Sequence, residues 1–378
     1  MDFRYYLPVN LIFGRGKVCE VGRLAAKYGK RALIVTGASS TKRSGLLDKV
    51  RNHLENERVD TFVFDKGTPN PLTTTAGEGA ELAKAKQCDT VIALGGGSVI
   101  DCAKAIAFLA KNNRDINDFI YNRYHGRGAL PIVAIPTTCG TGSEANGFAV
   151  LTNPENNDKK SLRRDEIIPA VSIIDPSLME TMPKELLACV SFDALCHSME
   201  AFLSVNSQPI TEYLSYQGMK MITDSLVNVY NGYNDTVAWD QLAWASTIGG
   251  MVIHTAGVTL PHAMEHPVSG LKNIVHGKGL AALTPVITEA SVESAPEKYA
   301  LISRLLRGKN AYDCADAMRK FLERIGLSVS LSEEGVTEDD IPWLTDNCFK
   351  VSAASIANHP AAFSSETIYR LYERALAF

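Results

Sequence analysis

Short aliphatic runs alternate with helix-spaced segments through the first half of the chain. Arg31-Ala-Leu-Ile-Val-Thr36, Thr90-Val-Ile-Ala-Leu94 and Pro131-Ile-Val-Ala-Ile135 are short and continuously apolar, so they read as strands covered on both faces. Asp60-Thr-Phe-Val-Phe-Asp65 reads as a further strand. Residues 46–57, 73–86 and 100–111 carry helical spacing between them. Strand and helix repeated in this way predict βαβ units and a parallel sheet, whose ligands sit beyond the carboxyl ends of the strands. After Ile173-Ile-Asp-Pro176 the pattern changes: 184–203, 209–231, 237–256, 278–292, 296–307, 311–325 and 364–377 read as helices, with no convincing strand among them. The expected organisation is an α/β domain over residues 1–180 and an all-helical domain over 181–378, with Pro176 and Pro183 at the seam.

Composition narrows the partners. Of 378 residues, 46% are hydrophobic and 21% charged, which excludes a disordered chain. Lys plus Arg is 38 against 42 for Asp plus Glu, a net charge of −4, without the basic excess of a dedicated nucleic-acid binder. The opening residues lack the basic start and apolar run of a signal peptide, and no stretch reads as a bilayer-crossing segment. The eight cysteines are scattered with no CxxC pair, as expected for reduced thiols in a cytoplasmic protein.

The histidines carry the first chemical signal. Four of the eight, His254, His262, His266 and His276, fall within 23 residues. His197 follows Asp193 at i,i+4, which places both on one helix face, and His266 follows His262 at the same spacing. One carboxylate with several imidazoles suits Fe²⁺ or Zn²⁺ better than Mg²⁺ or Ca²⁺, which prefer oxygen shells. The alternative is a set of unrelated core and surface histidines.

Polar, glycine-containing turns at the strand ends carry the second. Leu94-Gly-Gly-Gly-Ser98 joins a strand to a helix, where backbone amides and the helix N-terminus favour a phosphate. Pro136-Thr-Thr-Cys-Gly-Thr-Gly-Ser143 ends the next strand with four hydroxyls and two glycines. Together they suit a diphosphate and its riboses. In Thr36-Gly-Ala-Ser-Ser-Thr-Lys-Arg-Ser-Gly45 no acid is present to take a ribose 2′-hydroxyl; Ser39, Ser40, Thr41, Lys42 and Arg43 favour a 2′-phosphate, hence NADP(H) over NAD(H). Asp158-Lys-Lys160 and Arg163-Arg164 read as a solvated loop or hairpin, and His53 and His125 as surface residues.

In order along the chain, Pro69-Asn-Pro71, Gly95-Gly-Gly-Ser-Val-Ile-Asp101, Pro136-Thr-Thr-x-Gly-Thr141, Asp175-Pro176, Asp193-x3-His197, His262-x3-His266-Pro267 and His276-Gly277 resemble the iron-containing, or group III, alcohol dehydrogenases. The resemblance spans essentially the whole length and is nearest to the butanol dehydrogenase and NADPH-dependent aldehyde reductase branch. It implies a dehydroquinate synthase-like fold with the site in the cleft between a dinucleotide-binding domain and an all-helical domain. It implies metal ligands at Asp193, His197, His262 and His276, with Fe²⁺ or alternatively Zn²⁺. His266 matches a residue near the nicotinamide that relays a proton. Cofactor contacts carry over onto Gly37, Ser39, Ser40, Asn70, Gly97, Ser98, Asp101, Thr137, Thr138, Thr141, Lys160 and Leu178. Where NAD-specific relatives have an acid, this chain has Gly37, which puts NAD use in doubt.

The implied reaction is reversible hydride transfer between NADP(H) and a short-chain aldehyde or primary alcohol, in a homodimer with no nucleic-acid or membrane partner. Three other readings remain: an NAD-dependent alcohol or polyol dehydrogenase of the same family, a dehydroquinate synthase-like lyase, and a non-catalytic metal-stabilised scaffold. Between Phe192 and Gly277 only Lys220 and Lys272 are cationic, which suits an uncharged substrate better than the lyase's polyanion. Phe148, Phe192 and Phe202 are candidate apolar walls.

Overall fold

The computed structural model describes residues 2–232 and 235–377. They form two compact units. One comprises Leu7–Thr138 and Gly142–Thr181; the other runs from Met182 onward and includes Cys139–Thr141 and the stretch before Leu7.

The α/β unit holds strands β1 (Asn10–Phe13), β2 (Arg31–Gly37), β3 (Asp60–Gly67), β4 (Thr90–Gly95), β5 (Ile132–Pro136), β6 (Phe148–Thr152), β7 (Lys159–Arg163) and β8 (Val171–Ile174). Its helices are α1 (Val21–Ala25), α2 (Ser40–Arg43), α3 (Leu46–Asn56), α4 (Thr73–Ala85), α5 (Gly97–Leu109) and α6 (Ile116–Ile120). Six strands form a parallel sheet in the order β1-β8-β5-β4-β2-β3. Alternate residues of its central strands feed opposite faces. Leu33, Val35, Val91, Ala93, Ile132 and Ala134 enter one core, while Ala32, Ile34, Ile92, Leu94, Val133 and Ile135 enter the other. This two-sided burial is why those segments are continuously apolar rather than alternating.

Strand β2 lies between β3 and β4, so the chain reverses its direction of travel across the sheet there. Thr36 pairs with Leu94 and Gly95 with Pro136, which brings the ends of β2, β4 and β5 side by side. Such a switch point is where parallel sheets bind ligands.

Strands β6 and β7 form a separate antiparallel hairpin. The 158–164 segment was expected to be solvated, but Asp158 is 1% and Lys159 5% exposed. The reason is pairing: Lys159 Nζ donates to Asn70 Oδ1 at 3.0 Å, and the Tyr121 hydroxyl donates to the Asp158 carboxylate.

The helical unit contains α7 (Lys184–Leu203), α8 (Pro209–Tyr230), α9 (Thr236–Ala256), α10 (Leu260–Lys272), α11 (His276–Ser291), α12 (Pro296–Leu305), α13 (Cys314–Arg324), α14 (Ile341–Ala357) and α15 (Ser365–Leu376). Among the described residues it has no strand. Helices α10 and α14 are additions to the sequence reading. Pro267 lies inside α10, and Ser352 kinks α14 with φ −126°, so neither segment keeps an unbroken helical pattern.

Helix α7 is the one span among the described residues that is long and apolar enough to be weighed as a membrane segment. Its 20 residues are apolar enough by composition to cross a bilayer, yet 89% of its apolar window is buried within the protein. It is buried on all sides because it is the core helix of its unit.

Candidate functional site

Helix α7 presents Asp193, His197 and Glu200 on one face, at i, i+4 and i+7. Helix α10 supplies His262, Glu265 and His266, and His276 is the first residue of α11. A Cβ on the next residue, Gly277, would sit 2.3 Å from the Cys189 carbonyl oxygen, so a glycine there lets the start of α11 approach α7.

Three imidazole nitrogens converge on one carboxylate oxygen. Asp193 Oδ1 lies 3.2 Å from His262 Nε2, 3.5 Å from His197 Nε2 and 3.7 Å from His276 Nε2. With metal–ligand bonds of about 2.1 Å, neighbouring donors of a tetrahedral shell stand about 3.4 Å apart. The spacing thus fits donors arranged around a first-row divalent ion. Asp193, His262 and His276 form the tight group, their ligand atoms all within 4.8 Å of one another.

Burial would raise the Asp193 carboxyl, but His197, His262 and His276 together hold it far below the usual carboxylate range. Burial pushes His197 down to about 4 against the pull of Asp193. His262 goes the other way: burial opposes its charge, yet Glu200 and Asp193 raise it to about 10. Glu200 and Asp193 thus make the surroundings of His262 favourable to positive charge.

Two buried acids absent from the sequence reading back this group. Glu200 accepts from His262 Nδ1 at 2.6 Å. A carboxylate oxygen of Glu265 touches Nδ1 of His276. A signal for Glu200 was available, since it continues the face begun by Asp193 and His197. His266 is half-buried, with its ring 5.8 Å from that of His276 and 6.1 Å from that of His262. Phe192 and Phe202 are buried on α7, at 0% and 5% exposure, among its core residues.

The dinucleotide candidates lie mainly in the α/β unit. Gly37 ends β2, Ser39 precedes α2 and Ser40 begins it; a hydrogen bond of 2.6 Å between the Thr36 and Thr41 hydroxyls fastens α2 to the strand. Gly97 and Ser98 open α5. Thr137 donates its amide to the Gly95 carbonyl, and Thr138 lies against Gly96, so the two turns are in contact. Thr141 belongs to the helical unit. Asn70, with φ 48°, is tied to the β6–β7 hairpin that carries Lys160. Leu178 packs at the edge of one sheet core. The Asp101 carboxylate is occupied within the protein, accepting from Ser143 Oγ at 2.5 Å and the Val150 amide at 3.0 Å.

Two observations bear on the adenosine ribose. A Cβ at Gly37 would meet its nearest neighbour at 3.6 Å, an ordinary contact, so the backbone there does not itself dictate glycine. Lys42, however, pairs with the Asp65 carboxylate on β3, an acid that the loop sequence alone does not reveal.

Two family models match in succession. Iron-containing alcohol dehydrogenase covers residues 8–176, and the C-terminal part of the Fe-containing alcohol dehydrogenase family covers 187–376. The chain belongs to the iron-containing alcohol dehydrogenase family. Relatives within the family differ in cofactor. The NAD-dependent methanol dehydrogenase of Bacillus methanolicus is 31% identical across 98% of this chain and 99% of its own. The NADPH-dependent butanol dehydrogenase of Clostridium saccharobutylicum is 29% identical across 98% of this chain and 97% of its own. Among solved structures, an archaeal halo-thermophilic alcohol dehydrogenase from a Red Sea brine pool superposes with a TM-score of 0.94 at 32% identity, covering 100% of this chain and 99% of that one.

Proposed function

We propose that this member of the family transfers a hydride between NADP(H) and a short-chain aldehyde or primary alcohol, at a divalent metal held by Asp193, His197, His262 and His276. The convergence of three Nε2 atoms on Asp193 Oδ1 carries this reading. Fe²⁺ is the ion of choice, with Zn²⁺ compatible with the same donors. When bound, such an ion supplies Lewis-acid polarisation of a carbonyl oxygen, and the nicotinamide supplies or accepts the hydride.

The residues do the rest. Asp193 brings the negative charge that retains a dication in an otherwise neutral imidazole set. His266, half-buried beside His276, is the proton relay. A histidine suits that role because its ordinary pKa lies near neutrality. Gly37, Ser39 and Ser40 receive the adenosine ribose, and Gly97, Ser98, Thr137 and Thr138 line the switch point where the diphosphate lies. Asn70, Asp101, Thr141, Lys160 and Leu178 complete the set, Asp101 by holding the β6–β7 hairpin through Ser143 and Val150.

NADP(H) is favoured because Gly37 places no acid at a position whose backbone tolerates a Cβ. The Asp65–Lys42 pair supports a second reading, NAD(H), since it places an acid at this loop and neutralises its lysine. Initial rates with butyraldehyde and Fe²⁺-reconstituted protein separate the two. The proposal expects fast oxidation of NADPH and slow oxidation of NADH. A preference for NADH overturns the cofactor assignment and leaves the oxidoreductase. His262→Ala should lose bound metal and turnover together; a variant that keeps both removes His262 from the ligand set.

A further inference from the structure

One layer outside the proposed ligands stand two carboxylates, Glu200 and Glu265, both at 0% exposure. Burying a carboxylate is unfavourable unless its oxygens are fully engaged. Glu200 Oε2 accepts the Thr259 amide at 2.6 Å and lies 3.3 Å from the Thr259 hydroxyl, while Oε1 takes Nδ1 of His262 at 2.6 Å. Thr259 is the N-cap of α10, so this acid also neutralises the free amides at the start of the helix that carries His262. Glu265 accepts from the Ser269 hydroxyl and touches Nδ1 of His276.

The fold makes room for the second acid. A Cβ on Gly279, one turn after His276, would lie 2.8 Å from Glu265 Cγ and 3.0 Å from its Oε1. Among the described residues no carboxylate contacts Nδ1 of His197 in the way Glu265 contacts Nδ1 of His276. Orientation from the outer layer thus falls on two of the three rings.

We infer that Glu200 and Glu265 are positioning residues that hold His262 and His276 as Nδ1–H tautomers with Nε2 facing the ion, and so set how tightly the chain keeps its metal. The inference rests on the four-ligand centre proposed above. Outer carboxylates of this kind fix ring orientation and raise ligand basicity, and losing one weakens metal binding about 10–100-fold.

The test is titration of metal-free protein with Zn²⁺ alone, in competition with a chelating dye. Glu200→Gln and Glu265→Gln should each raise the Kd about 10–100-fold while the metal-free far-UV spectrum stays that of the parent. Gly279→Ala touches no ligand, yet should weaken retention by displacing Glu265. With Co²⁺ in place of Zn²⁺, both Gln variants should shift the visible d–d band, a readout that a purely structural role would not move. If His262→Ala binds Zn²⁺ like the parent, the four-ligand centre itself is wrong. If His262→Ala loses the metal while both Gln variants keep the parental Kd and Co²⁺ spectrum, only the positioning role is overturned. Should Glu200→Gln fail to fold, Glu265→Gln and Gly279→Ala decide the matter.

Discussion

His359 shows how little a local sequence says about one side chain. Asn358-His-Pro360 reads as a turn, and so it is, yet the imidazole is 5% exposed and lies 2.9 Å from the Ser291 hydroxyl. Burial pushes its pKa down to about 4 from an ordinary 6.5. The unfolded chain therefore binds the extra proton first, so the stability from a neutral His359 is present above pH 6.5 and is lost as pH falls toward 4. Its full size is on the order of 3 kcal/mol. His359→Gln should flatten the melting temperature of metal-free protein against pH across that window; an unchanged slope would place the acid sensitivity elsewhere. Gly37 is a residue-scale choice of another kind, since a Cβ there would make only ordinary contacts. Gly37→Asp should lower kcat/KM for NADPH relative to NADH by about tenfold or more, an effect of roughly 1.4 kcal/mol. An unchanged ratio would mean that the ribose is read elsewhere, with Asp65 the first place to look.

At the scale of elements, the local pattern carries far where burial and periodicity agree. The buried strands were legible because each must satisfy a core on both faces, which leaves no polar positions to blur the pattern. Helices α7, α8 and α9 were legible from length and spacing. Helix α10 was not, although it carries His262 and His266: Pro267 interrupts its pattern, and the helix is held by burial of Leu260, Ala263, Met264 and Val268 instead. The β6–β7 hairpin was misjudged as solvated because its anchors come from distant segments. The fully buried Lys104 of α5 is one of them, donating to Ser143 Oγ at 2.8 Å, Asn146 Oδ1 at 2.9 Å and the Phe148 carbonyl at 2.7 Å. Burial lowers its pKa to about 8. Lys104→Met removes these three bonds, and amide exchange in β6 and β7 should accelerate on the order of tenfold. Exchange at the parental rate would show that the hairpin stands without α5.

For the molecule as a whole, the family was readable from the order of motifs, because each motif marks a strand end or a helix face. The four proposed donors could be put forward together from sequence because Asp193 and His197 share one face and His262 and His276 follow close behind. The outer layer was not read. Glu200 meets His262 across 62 residues, and the Asp65–Lys42 pair joins helix α2 to strand β3. The most direct test strips the protein of metal and titrates it anaerobically with Fe²⁺, following butyraldehyde-dependent NADPH oxidation against metal bound per chain. The expected result is activity absent from the stripped protein and rising in proportion to bound metal until one equivalent is reached. Full activity in the stripped protein, or none when one equivalent is bound, would contradict hydride transfer at this centre.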